Sequence, residues 1–233
     1  MDPRVLDAER AGLSTMGVAA TSATTELLAL ADWRRRVADL FSEVRSVAHE
    51  DPERAWDAWR ARRDDLFRTH PQSPVPPADR AGFVGRYFDY DPRLRFDRVA
   101  VDPAPPPSPD ALPLALPNSG SDSLAFRRIG SLELALPVGA RRLSLFWMEG
   151  YAGGLFLPFR DATNGAQTYA AGRYLLDTAK SGDLGGDLGS GTITIDFNFA
   201  YQPSCAFDPR WACPLAPPEN RLDIPIEAGE RIA

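Results

Sequence analysis

Four prolines within seven residues, Pro71, Pro74, Pro76 and Pro77, divide the chain into two regions whose apolar residues repeat with different periods. Proline fixes φ and offers no backbone N–H, so no regular helix can run through this stretch. Upstream of it the period is helical. Leu30, Trp33, Val37, Leu40, Phe41, Val44 and Val47 recur mostly at steps of three and four and form one stripe, opposite Arg34, Arg35, Glu43 and Arg45. This spacing predicts a helix over 26–47. Asp51 followed by Pro52 supplies an N-cap and a proline at the first helical position. A second helix carrying Trp56, Trp59, Leu66 and Phe67 is therefore expected, ending near His70. Residues 1–25 mix small and polar residues with no clear period and are expected to be frayed or disordered.

Downstream of the prolines the period falls to two. Leu132, Leu134 and Leu136 alternate with Ser131, Glu133 and Ala135, and Leu143, Leu145 and Trp147 form the next apolar face. Pro137 to Ala140 joins the two as a hairpin turn. Between Thr192 and Phe199, Ile193, Ile195, Phe197 and Phe199 alternate with Thr192, Thr194, Asp196 and Asn198, which predicts one strand with a core face and a polar face. Strands this closely spaced, with no helical pattern between them, predict an antiparallel sandwich or barrel-like sheet. The fold class is therefore α+β, mainly β. A helical pair over 26–70 precedes a β-rich domain over 71–233, in which the proline-rich stretch 102–110 is a loop. The helical stripes must be buried on something: the β domain is the first expectation, a homodimer through the helical arm the second.

Several classes of function are disfavoured. The net charge is −6, from 26 basic and 32 acidic residues, which opposes a nucleic-acid partner. No apolar run approaches the ~20 residues of a membrane span, and no secretory signal opens the chain, so a cytoplasmic location is expected. There is no Gly-x-Ser-x-Gly, no P-loop, no Gly-x-Gly-x-x-Gly after a strand and no His-Glu-x-x-His. The two histidines, His49 and His70, fall near helix ends. No cofactor and no metal are called for. Cys205 and Cys213 stand eight positions apart with no histidine nearby, short of the four ligands zinc takes. A buried pair of thiols is expected, with a loop-closing disulfide as the alternative. Of the 26 basic residues only Lys180 is a lysine.

Four strings in the C-terminal half carry a resemblance. They are Leu155 to Gly165 (LFLPFRDATNG), Thr168 to Leu175 (TYAAGRYL), Asp196 to Tyr201 (DFNFAY) and Cys213 to Leu222 (CPLAPPENRL). Together with Trp59 to Phe67 and His70 to Pro74, they resemble the uncharacterised bacterial family catalogued as domain of unknown function number 1684, over roughly residues 56–230. Ala170 and Ala171 stand where the family pattern has glycine, and Gln202 where asparagine is common. The resemblance implies a shape and no activity.

It also draws attention to polar groups in an otherwise apolar sheet: Arg160, Asp161, Thr163, Tyr169, Arg173, Asp196, Asn198, Tyr201 and Asn220. A strand from Thr168 to Asp177 paired with Thr192–Phe199 would set Arg173 against Asp196 and Asn198. One reading is structural: an ion pair fixing register, Asp161 and Thr163 capping a turn, and Asn220 satisfying loop carbonyls. The other is a site in which Arg160 or Arg173 grips a small anionic ligand, Asp196 and Asn198 orient it, and Tyr169 or Tyr201 stacks on it. An enzymatic version, a hydrolase or isomerase, would use Asp161 or Asp196 as general base with an arginine stabilising the developing anion.

Overall fold

The computed structural model describes residues 3–106, 113–120, 124–151, 153–187 and 189–232, with side chains from Ala23 onward. Part of the proline-rich stretch 102–110 lies outside these residues. Two helices open the chain, α1 (Pro3–Ala48) and α2 (Pro52–Thr69). Helix α1 begins at Pro3, well before the predicted Glu26, and runs through the stretch expected to be frayed or disordered. Helix α2 starts and stops as predicted. The Asp51 carboxylate accepts from Arg54 N at 3.0 Å, and the Ser73 hydroxyl donates to the Phe67 carbonyl at 2.7 Å beyond the last turn.

Among the described residues eight strands follow: β1 (Arg95–Pro103), β2 (Leu114–Ala115), β3 (Ala125–Leu136), β4 (Gly139–Met148), β5 (Gly154–Phe159), β6 (Arg173–Asp177), β7 (Gly186–Asp187) and β8 (Thr192–Asp196). They form one antiparallel sheet in the order β6-β5-β4-β3-β1-β8-β7, with β2 also on β3, curled into a half-barrel. The barrel-like expectation holds and the two-sheet sandwich does not. The predicted hairpin is β3–β4, registered Leu132 to Leu143 and closed at Gly139, whose φ of +113° suits a residue without a Cβ.

Two predicted strands are shorter than the alternation implied. Strand β8 stops at Asp196 because that carboxylate accepts from Asn198 N at 2.9 Å and turns the chain into a 3-10 segment, Phe197–Phe199. Phe197 stays in the sheet core while Phe199 enters the core of the helices. Strand β6 begins only at Arg173, since Thr168 is held in a turn by Thr163 and Asn164. The chain then reverses at Gly172, where φ is +104° and a Cβ would lie 2.4 Å from the Phe159 carbonyl oxygen.

One core fills the concave side of the sheet, from Leu132, Leu143, Leu157, Phe159, Ile195 and Phe197 to Leu222, Ile226 and Ala228 of the C-terminal segment. A second joins the helices to the sheet: Leu40, Phe41 and Val44 of α1 and Trp56, Trp59 and Phe67 of α2 pack with Leu184 and Phe199. The α1 stripe is thus used within its own domain. Among the described residues no helix is long and apolar enough to cross a membrane.

Candidate functional site

The polar residues singled out in the sequence are engaged with protein groups: Asp161, Thr163, Arg173, Asp196, Asn198 and Asn220 are buried, and Arg160, Tyr169 and Tyr201 are half-buried. Arg173 is fully buried. Its Nη2 donates to Asp161 Oδ2 and to the Ile226 carbonyl, both at 2.8 Å, and its Nη1 donates to the carbonyls of Ala228 and Glu230. Asp161 Oδ1 accepts from Thr163 N at 2.7 Å, so Asp161 and Thr163 do cap a turn. The expected pairing of Arg173 with Asp196 and Asn198 does not occur, because β5, β4, β3 and β1 separate β6 from β8 in the sheet.

Asp196 instead takes Arg95 at 3.2 Å. Burial raises the Asp196 pKa, against the hydrogen bonds of Asn198 and the charge of Arg95. Asn198 donates to the Asp91 carbonyl and to Asp196, accepts from Asp91 N at 2.8 Å, and gives its own carbonyl to the Trp56 indole at 2.9 Å. Asn220 clamps β4 to β5, accepting from Ser144 N at 2.7 Å and donating to the carbonyls of Ser144 and Pro158 at 2.9 and 2.8 Å. Arg160 donates to the Ala170 carbonyl at 2.8 Å. Tyr169 reaches Cys205 Sγ at 3.6 Å.

Open space lies elsewhere, in a cleft between α1 and the loops at the edge of the half-barrel. Its inner part, about 80 Å³, is enclosed by Val37, Phe41, Phe67, Tyr174, Tyr201 and Gln202. Its outer part, about 220 Å³, is lined by Leu30, Arg34, Trp211 and Cys213. Trp33, Pro74, Lys180 and Ser204 line both parts and make them contiguous. Past Trp211 an open depression of about 520 Å³ continues between Glu26, Arg80 and Arg210.

The inner part has polar groups of its own. Arg63 is held by both oxygens of Glu230, at 2.5 and 3.1 Å, and lies over the rings of Phe67 and Tyr201. Gln202 is 7% exposed, and among the described residues its Oε1 has no hydrogen-bond partner. An unpaired buried carbonyl is costly unless something else meets it. Of the nine polar candidates, only Tyr201 lines the cleft. The others that build it were missed because they come from α1, α2, the 72–74 segment, the 174–182 stretch and the 202–213 loop, which only the fold brings together. The one local signal was compositional: Lys180, the single lysine.

The family model for a protein of unknown function, DUF1684, matches residues 83–231. The chain belongs to the DUF1684 family. In this DUF1684 chain the matched region holds the half-barrel and begins after the two helices. It is also similar to an uncharacterized protein of Haloarcula marismortui, solved by solution NMR. The two are 35% identical, with a TM-score of 0.55, and the match covers 79% of this chain and 96% of the other. Among curated proteins nothing matches.

In this DUF1684 chain the two cysteines are free, buried thiols, and Cys213 lines the outer cleft. The hydrogen bond from Cys213, then those of Ser119 and Tyr169, pull the Cys205 thiol down to about 6 against the opposing effect of burial. Cys213, which keeps its proton in that bond, is pushed up. Burial and the same sulfur push Tyr169 up to about 12. At pH 7, iodoacetamide is expected to label Cys205 well ahead of Cys213, read by peptide mass spectrometry, because the thiolate is the nucleophile. Equal labelling of the two would contradict this asymmetry. Among the described residues no group of three or more His, Cys, Asp or Glu is placed to hold a metal ion.

Proposed function

We propose that the protein binds a small molecule with an apolar body in the cleft between α1 and the half-barrel. One observation carries this reading: contiguous cavities of about 220 and 80 Å³ walled by aromatic rings, with the unpartnered Oε1 of Gln202 buried in the inner wall. Ligand sites are concave and mainly apolar, with a few polar groups that fix orientation, and this cleft has that composition. A binding role is favoured over a general-base role. Asp161 and Asp196 each have an arginine partner and cap a turn, and neither lines the cleft.

The test is a titration with N-phenyl-1-naphthylamine, a neutral probe whose fluorescence rises in apolar surroundings. Saturable enhancement at one probe per chain is expected. The Val37→Trp variant, which fills the inner cleft, is expected to weaken binding at least tenfold while its circular dichroism stays that of the parent. A probe signal that does not saturate, or that survives in a folded Val37→Trp variant, would overturn the reading.

A further inference from the structure

We infer that the molecule held in the cleft is an amphipathic anion, a carboxylate or sulfonate whose head sits between Arg34 and Lys180 and whose apolar body runs inward past Trp33. This deepens the proposed function and rests on it. In a chain of net charge −6, the mouth of the cleft runs against the overall balance. Arg34 lines the outer cavity, and among the described residues no carboxylate pairs with it. Lys180, on the wall shared by both cavities, is 3.3 Å from Asp177. Asp177 raises the lysine's pKa, while Arg34 opposes that rise, which places the two cations within electrostatic reach of each other. Two positive groups with one carboxylate, that of Asp177 on Lys180, leave a surplus positive charge at the rim.

The neighbouring cations are already engaged. Arg63 is taken by Glu230, Arg80 by the carbonyls of Ser73 and Val75, and Arg210 by Asp208 at 3.1 Å. Arg34 is left as the group an incoming anion would meet first. Behind it the walls become aromatic, and the acceptor on Gln202 lies at the inner end. A negative head, an apolar body and a hydrogen-bond donor toward the far end would meet all three features in order. A ligand of the opposite polarity would set its cation against Arg34 and Lys180.

The experiment is displacement of N-phenyl-1-naphthylamine by three ligands with the same tail, dodecanoate, dodecanol and dodecyltrimethylammonium, each kept below its aggregation concentration. Dodecanoate is expected to compete about tenfold better than dodecanol, and the ammonium worst of all. The preference should shrink between low and high salt, since charges at an open rim are screened. Arg34→Glu, at an exposed position of α1, is expected to abolish the preference for dodecanoate over dodecanol. Equal competition by dodecanoate and dodecanol, or a preference that persists in Arg34→Glu, overturns the anionic assignment and leaves the cleft standing. Failure of the neutral probe itself to bind removes both readings.

Discussion

Arg173→Ala is expected to lower the stability of the protein by about 3–5 kcal/mol, because removing one member of a buried ion pair strands the other charge. Asp161 would keep its two bonds to Thr163 and lose its only arginine. Three carbonyls of the C-terminal segment, those of Ile226, Ala228 and Glu230, would lose a donor in the same step. At roughly 2–4 °C per kcal/mol for a domain of this size, the melting temperature should fall by roughly 6–20 °C, measured by circular dichroism. Arg173→Lys should recover little, since one ammonium cannot reproduce the planar fork that reaches the carboxylate and three carbonyls together. A loss under about 1 kcal/mol for Arg173→Ala would mean that water replaces the guanidinium, and the pair would then not be what fastens the C-terminal segment to the sheet.

Trp59→Ala is expected to cost about 3–5 kcal/mol by a different route, the cavity left in the core between the helices and the sheet. The indole is fully buried, edge-on to Phe199 at 5.3 Å and to Tyr87 at 5.8 Å between ring centres. Among the described residues its Nε1 has no hydrogen-bond partner, so the loss is one of packing and of the Arg63 guanidinium lying 5.6 Å over the ring. That separates it from Trp59→Phe, which keeps most of the ring, removes an unsatisfied donor, and should cost less than about 1.5 kcal/mol. Urea titrations of the two variants decide the matter: comparable losses would place a hidden polar role on the indole.

The helices and the hairpin could be read from the sequence because their signals are local. Asp51-Pro52 opens α2, and the alternation of Leu132, Leu134 and Leu136 needs nothing beyond its own strand. The strand after Thr192 was overextended for an instructive reason. Asp196 and Asn198 keep the alternation going on paper, yet the Asp196 carboxylate takes the Asn198 N–H and bends the chain. Side-chain capping defeated hydrophobic period there. The partner of Arg173 was misread because strand order is a global property: Asp161, 12 positions back, lies nearer than the strand that alternation seemed to offer. Asn220 and the Asp161–Thr163 turn make the hydrogen bonds that one of the two readings left open by the sequence describes, that of caps and carbonyl partners. The cleft was illegible for the same global reason, its walls coming from α1, α2, the 72–74 segment, the 174–182 stretch and the 201–213 loop.

The pinning of the C-terminal segment also sets an order of events. Arg63 and Glu230 are 167 positions apart, and β1 closes on β8 across about a hundred residues. Contacts at such separations form only after the intervening loop has paid its entropy, so they belong to the late steps of folding. Until residues 222–230 reach the concave face, Leu132, Leu143 and Phe159 lack part of their cover and Arg173 has none of its three carbonyls. The half-barrel is thus held open to water through most of its own synthesis and becomes a closed core only when almost all of this sequence is present.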